Sequence, residues 1–218
     1  MSLKAASARS QARDKTRRRL QEISLRLFVR RGYAGTTVRD IADAAGLSVG
    51  LMFHYFPSKQ ALLEEHARNI DAATASLARE LSSAARPLEA FAAVAATVLE
   101  SMRDAGTRDL FLLANQILSL DSIPPAVKRL LSATRSIDAS VPLIARGQRC
   151  GEIRVGDPKA LAIAFWGALQ GIAEVLVWYP HSHVPQSEAV LGLLRPSGAT
   201  GPAVRTATGA GRPRRRRA

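Results

Sequence analysis

The stretch from Thr36 to Lys59 constrains this chain more than any other, because several helix-end signals fall in it at spacings that fit two short helices and the start of a third. Thr37 is followed three residues later by Asp40, the spacing at which a cap side chain and the third helical residue satisfy each other's free backbone groups. A helix is therefore expected from Val38 to Ala45. Its residues Val38, Ile41, Ala42 and Ala45 share one apolar face, while Arg39, Asp40 and Asp43 point elsewhere. Gly46 supplies the left-handed residue that ends it. Leu47 plugs the corner, Ser48 caps a second helix from Val49 to Phe56, Pro57 closes that helix, and Ser58 caps the next.

A helix of about two turns cannot persist alone in water, where isolated helices need roughly 12 or more residues. Met52 and Phe56, four apart, are expected to bury against the preceding helix. Val49, Gly50, Phe53 and His54 are left toward the outside. Two short helices around a glycine turn, the second facing out, form the shape that sets one helix into the major groove of DNA. An exposed helix start with a free serine and a glycine also suits close approach to a phosphate. The competing reading, a helical hairpin inside a core, does not require capping box, glycine turn, serine cap and proline stop to occur together.

From Thr16 to Leu63 the chain resembles the DNA-binding domain of the tetracycline-repressor (TetR) family of bacterial transcription regulators. The residues that carry the likeness are Ile23, Leu27, Phe28 and Gly32-Tyr33, then Thr36-Thr37-Val38, Ile41-Ala42, Ala45-Gly46-Leu47-Ser48, Gly50, His54-Tyr55-Phe56 and Lys59. The resemblance implies that Thr37 contacts phosphate at the start of the second helix. It places Ser48, Val49, Gly50 and His54 at the groove, with Tyr55 and Lys59 reaching the flanking backbone. Two departures stand out. Phe53 occupies a position where the family very often has a tyrosine whose hydroxyl touches phosphate. Between Ser48 and Lys59 there is also no lysine or arginine, so a bidentate arginine on guanine is not available from this helix. Val49 and Leu51 are then candidates for thymine methyl contacts, and His54 for a base edge or a phosphate.

Charge points to the same partner, double-stranded DNA. The formal net charge is +13, and it sits at the ends. Residues 1–31 contain ten basic and two acidic residues, the stretch after Leu194 has seven arginines and no acid, and the middle is slightly acidic. A basic arm, with Arg17, Arg18 and Arg19 at its inner end, would supply sequence-independent phosphate attraction beside a recognition helix that lacks it.

Beyond Ser58 the apolar spacing is helical nearly throughout. Helices are expected at about 59–84, 87–104, 107–119, 124–148, 157–179 and 186–194, broken at Pro87, Gly106, Pro124-Pro125, Gly151 to Pro158 and Pro180. The fold class is all-α. Its expected organisation is a basic disordered arm (1–15), a three-helix helix-turn-helix DNA-binding domain (16–63), a helical ligand-binding and dimerisation domain (64–194) and a disordered Arg-rich tail (195–218).

Residues 160–179 are long and apolar enough to raise a membrane span, against which Gln170 and Glu174 argue, and no membrane partner is expected. Ala160, Ala164, Gly167, Ala168 and Gly171 form a small-residue stripe, read as a homodimer interface; a two-fold dimer also sets two recognition helices on a palindromic operator. The resemblance further implies a small-molecule effector in the larger domain, its identity left open. Candidate lining residues are Phe91, Met102, Phe111, Asn115, Phe165, Trp166, Gln170 and Trp178, which plain core packing explains equally.

The four histidines show no Glu-flanked metal spacing, His181-x-His183 follows Pro180 and reads as a solvent-facing loop rather than a weak metal site, and the chain has no phosphate-cradling glycine loop and no nucleophile elbow. No catalytic residue, metal or cofactor is expected. The N-terminus lacks an apolar secretion core, and a lone Cys150 cannot form an intramolecular disulfide, which together suit the bacterial cytoplasm. The residues point to a dimeric DNA-binding regulator, and the resemblance implies that it is a repressor released by a ligand. An activator, a partner-regulated factor or a nonspecific architectural DNA binder remain as alternatives.

Overall fold

The computed structural model describes residues 2–132 and 135–196, which form ten helices and, among the described residues, no strand. In chain order these are α1 (Ser2–Arg31), α2 (Val38–Ala45), α3 (Val49–Tyr55), α4 (Lys59–Ser83), α5 (Pro87–Ser101), α6 (Ala105–Ser119), α7 (Pro125–Lys128), α8 (Arg135–Arg149), α9 (Pro158–Trp178) and α10 (Ser187–Leu191).

Two apolar cores organise them. The first gathers Leu20 and Phe28 of α1, Ile41 and Ala45 of α2, Met52 and Phe56 around α3, and Leu62, Leu63 and Ala67 of α4. It also takes Leu113 and Ile117 from α6 and Val127 from α7. The second packs Leu81, Phe91, Val98, Leu143, Ile144, Phe165, Leu169 and Leu176 from α4, α5, α8 and α9, closed by Val190 and Leu194. The first core does not stop at residue 63. Helix α4 runs through that position and feeds both, and α6 lays Leu113 and Ile117 in the first core while Phe111 packs on the second.

Four expectations are corrected. Residues 2–15, taken for a disordered arm, continue α1 as helix; Ala, Arg, Lys, Gln and Ser there include neither glycine nor proline, and propensity favours the helix that the charge pattern hid. Gly106 does not break the chain but lies in the first turn of α6, because Asp104 caps that helix by accepting from Thr107 N at 2.8 Å. The helix expected over 124–148 divides into α7 and α8. Asp71 of α4 accepts from Ser132 N at 3.3 Å and from Arg135 Nη1 at 3.0 Å, holding the chain just before α8 through a partner about 60 residues away. The last helix, expected over 186–194, is the shorter α10. The tail from 197 onward, expected to be disordered, lies outside the described residues.

Helix α9 is apolar and long enough to cross a membrane by length and composition, yet it packs against α6 and α8 through one side. Phe165, Leu169, Ala173 and Leu176 are buried there. Its other side carries Ile163, Val175 and Trp178 at 51, 46 and 70% exposure, with Ala160, Ala164 and Gly167 also exposed.

A candidate nucleic-acid interface on the second and third helices

The start of α2 is the expected reciprocal cap. Thr37 N donates to Asp40 Oδ2 at 2.8 Å, and Asp40 N donates to Thr37 Oγ1 at 3.1 Å. The Thr37 hydroxyl donates back to Asp40 Oδ2 at 2.6 Å. Those bonds, the side-chain one first, hold the Asp40 carboxyl below its usual range, with a smaller contribution from Arg31. The consequence for DNA is direct. The only proton on the Thr37 hydroxyl is committed to a carboxylate, so Thr37 acts here as a cap, and a phosphate contact from it requires that bond to be exchanged.

Gly46 then turns the chain at φ 64°, ψ 35°, where any side chain is strained. Its N–H donates to Asp43 O at 3.0 Å, and Leu47 N to Ala42 O at 2.9 Å. Ser48 caps α3 by accepting from Leu51 N at 3.2 Å, an acceptor role that leaves its hydroxyl proton for an incoming phosphate oxygen. Helix α3 buries Met52 completely and rests on Phe56, which is 2% exposed.

The outward side of α3 differs from the expected one at one residue. Val49, expected to face out, packs with Tyr55 against the rim of the first core and is half-buried. The residues that do stand out are Ser48, Gly50, Leu51, Phe53 and His54; Leu51 is 42% and Phe53 45% exposed. His54 packs edge-on against Tyr55, ring centres 5.6 Å apart.

Two cations expected at phosphates are used inside the protein. Lys59 Nζ donates to Tyr33 O and Thr36 O, both at 2.7 Å, and lies 4.1 Å from the centre of the Tyr33 ring. Burial lowers its pKa from the ordinary lysine value. Lys59 thus clamps the turn that leads into the α2 cap, with its remaining N–H available outward. Arg17 pairs with Glu65, donates to Tyr55 O at 3.3 Å and sits 4.3 Å over the Phe56 ring. It ties α1 to the end of α3. Arg18 and Arg19 are exposed and line an open cleft of about 860 Å³ with Lys15, Arg26 and Glu22, and Arg19 reaches beside Gly46.

A buried pair missed from the sequence fixes α4 on α1. Ser24 is fully buried and His66 3% exposed, with Ser24 Oγ 3.0 Å from His66 Nε2. Ser24 Oγ also donates to Gln21 O at 3.0 Å, which uses its one proton, so His66 donates from Nε2. Burial pushes the imidazole down to about 4. No local signal links residues 24 and 66; only the three-helix packing brings them together.

The candidate effector residues divide between the second core and the α6–α9 seam. Phe91, Met102 and Phe165 are core, with the Phe91 and Phe165 rings edge-on at 5.0 Å. Trp166 meets Phe165 edge-on at 5.4 Å and donates to Ser140 Oγ at 2.9 Å. Gln170 donates to Phe111 O at 3.3 Å, while exposed Asn115 donates to Glu174 Oε1 at 2.6 Å, and Trp178 projects outward. The polar members join α6 to α9, and the aromatics Phe91, Phe165 and Trp166 pack edge to face on one another.

Residues 22–66 match the model of the tetR family of bacterial regulatory proteins. The HTH-type transcriptional repressor KstR2 of Mycobacterium tuberculosis is 41% identical over 71 residues, covering 32% of this chain and 36% of that protein, so the matched stretch spans about a third of that relative. The HTH-type transcriptional regulator RutR of Escherichia coli K12 is 29% identical over 194 residues, 87% of this chain and 85% of RutR. Among solved structures, that of the ketosteroid transcriptional regulator KstR2 of M. tuberculosis superposes with a TM-score of 0.63 at 22% identity, covering 82% of this chain and 94% of that one. These structural likenesses extend the shared fold beyond the matched stretch.

Proposed function

We propose that the chain, whose residues 22–66 match the model of the tetR family of bacterial regulatory proteins, is a dimeric, sequence-specific repressor of that family released from a palindromic operator by a small molecule. The observation that carries this reading is the doubly capped α2–Gly46–α3 unit, whose second helix turns Ser48, Gly50, Leu51 and His54 outward. In this reading Ser48 and the phenol of Tyr55 meet phosphates, Arg18 and Arg19 attract the backbone, and Lys59 and Arg17 keep the unit in shape.

The exposed face of α9 supports the dimer. Where a Cβ of Gly167 or Gly171 would stand there is open space, so a second α9 can approach closely beside Ile163 and Val175. Two-fold pairing then presents two α3 helices to successive turns of DNA.

Helix α6 supports the coupling. Gln116 Nε2 donates to Val29 O of α1 at 3.1 Å, and Leu113 and Ile117 lie in the DNA-side core. The opposite side of α6 bonds α9 through Asn115 and Gln170. A ligand that opens the α6–α9 seam must move a helix that α1 rests on. It releases DNA only if it favours the DNA-incompetent state, with coupling typically about 1–3 kcal/mol. The effector is a mostly apolar small molecule with one or two polar anchors, and no catalytic role is assigned. A cytoplasmic location follows from the partner.

Selection of bound duplexes from a random pool, then titration against salt, tests this. The expected outcome is a palindrome bound on the order of 10³-fold or more above random duplex at moderate salt. Equal loss of selected and random binding as salt rises supports instead an architectural binder, which the basic ends favour. A promoter fusion separates repression from activation.

A further inference from the structure

We propose that α3 reads thymine methyl groups, with Leu51 and Phe53 as the specificity-determining side chains and Gly50 as the gap that lets the base edges approach between them. The proposal rests on the regulator reading above and deepens it.

The geometry is that of a two-turn helix seen end-on. With Met52 pointing into the core, Leu51 and Phe53 are set about 100° to either side of it, and Gly50 and His54 lie opposite. The two shoulders are therefore large, apolar and 42 and 45% exposed, and no contact within the protein explains leaving them so. Between them a Cβ on Gly50 would meet nothing within 4 Å, so the middle of the face is low. No lysine or arginine lies on α3, and Arg17 and Lys59, which flank it, are held by Glu65 and by the Tyr33 and Thr36 carbonyls.

The major groove offers one apolar group, the C5-methyl of thymine; its other features are donors and acceptors. Against guanine or cytosine, a leucine or phenylalanine strips water from polar edges and returns no hydrogen bond. Against thymine it covers a methyl. A surface with two apolar shoulders and no cation therefore prefers thymine at the positions the shoulders cover. His54, the one donor-bearing ring on the face, supplies a hydrogen bond at the far end.

The test uses the full chain and the duplex selected from a random pool. Each thymine of a half-site is replaced by deoxyuridine, one at a time, and affinity is read by fluorescence anisotropy at fixed salt. Removing a covered methyl is expected to weaken binding about fourfold, the change corresponding to about 0.8 kcal/mol per buried methyl-sized group. One or two positions per half-site should respond. Leu51→Ala should abolish the response at one position and Phe53→Ala at another, and 5-methylcytosine in place of cytosine at a responsive site should recover part of the loss. A selected palindrome bound equally with uracil at every position overturns this proposal and leaves the regulator reading standing. A pool that yields no preferred sequence overturns both. Both substitutions are at exposed positions, and circular dichroism with thermal unfolding verifies that each variant is folded.

Discussion

Acid should destabilise the DNA-binding end of this protein through one residue. His66 is 3% exposed, its Nε2 hydrogen commits to Ser24 Oγ at 3.0 Å, and the ring meets Phe28 edge-on at 6.3 Å. A second proton on this ring would be a charge in an apolar seam between α1 and α4. Burial is accordingly the dominant influence, and the pKa falls from 6.5 to about 4, opposed only slightly by the Gln21 carbonyl. The sign follows from proton counting. Between 6.5 and about 4 the unfolded chain binds the proton and the folded one does not, so stability falls as pH falls through that window. Below about 4 both states are protonated and this contribution levels off. At about 1.4 kcal/mol per pH unit, the full loss is about 3 kcal/mol, a large share of a typical domain's stability. Urea unfolding followed by circular dichroism at several pH values from 7.5 to 4, at constant protein concentration and ionic strength, measures it. His66→Gln, which can still donate to Ser24 but cannot titrate, lowers stability at neutral pH through poorer packing. Its pH dependence across the window should be flatter than that of the parent by about the same 3 kcal/mol. Parallel curves for the two proteins would refute the assignment.

Three further outcomes are expected. Lys59→Met removes two hydrogen bonds from a charged donor and leaves the Thr36 carbonyl without them, so the folded state should lose about 2–4 kcal/mol by denaturant titration, with DNA affinity falling only as the folded fraction does. Phe53→Tyr adds a hydroxyl to the ring set over a thymine methyl, where it would lose water without gaining a partner; binding to the selected duplex should weaken by up to about tenfold in anisotropy titrations while random-duplex binding holds. Gly167→Arg places a charge where the α9 face is open, and sedimentation velocity should show the dimer replaced by monomer while helix content is kept.

The parts of this protein that were legible in its sequence are those whose causes lie within a few residues. Thr37 and Asp40 set the start of α2, Gly46 its end and Ser48 the start of α3, and the structure has those boundaries at the expected residues. Each is a backbone donor or dihedral satisfied by a neighbour, so composition at fixed spacing suffices to specify it. Legibility faded where a local feature had two physical outlets. The basic run before residue 16 could be a solvated arm or a helix, and the uninterrupted helix formers decided for helix. Val49, next to the cap, could face the groove or the rim of the core, and the packing of α3 on the first core turned it inward.

What only the tertiary structure decided is where the charges and polar groups go. From sequence Arg17 and Lys59 are expected at DNA phosphates and nothing local marks Asp71 or His66, yet each is committed to a partner on another helix or in a preceding loop: Glu65, the Tyr33 and Thr36 carbonyls, Arg135, and Ser24. Long-range pairing carries no periodic signature, because it depends on how helices cross and not on how residues recur. The sequence determined that a short helix is presented to the groove. The packing of α1, α4 and α6 around it determined that its flanking cations hold the protein together, which leaves Leu51, Phe53 and His54 as what the groove meets.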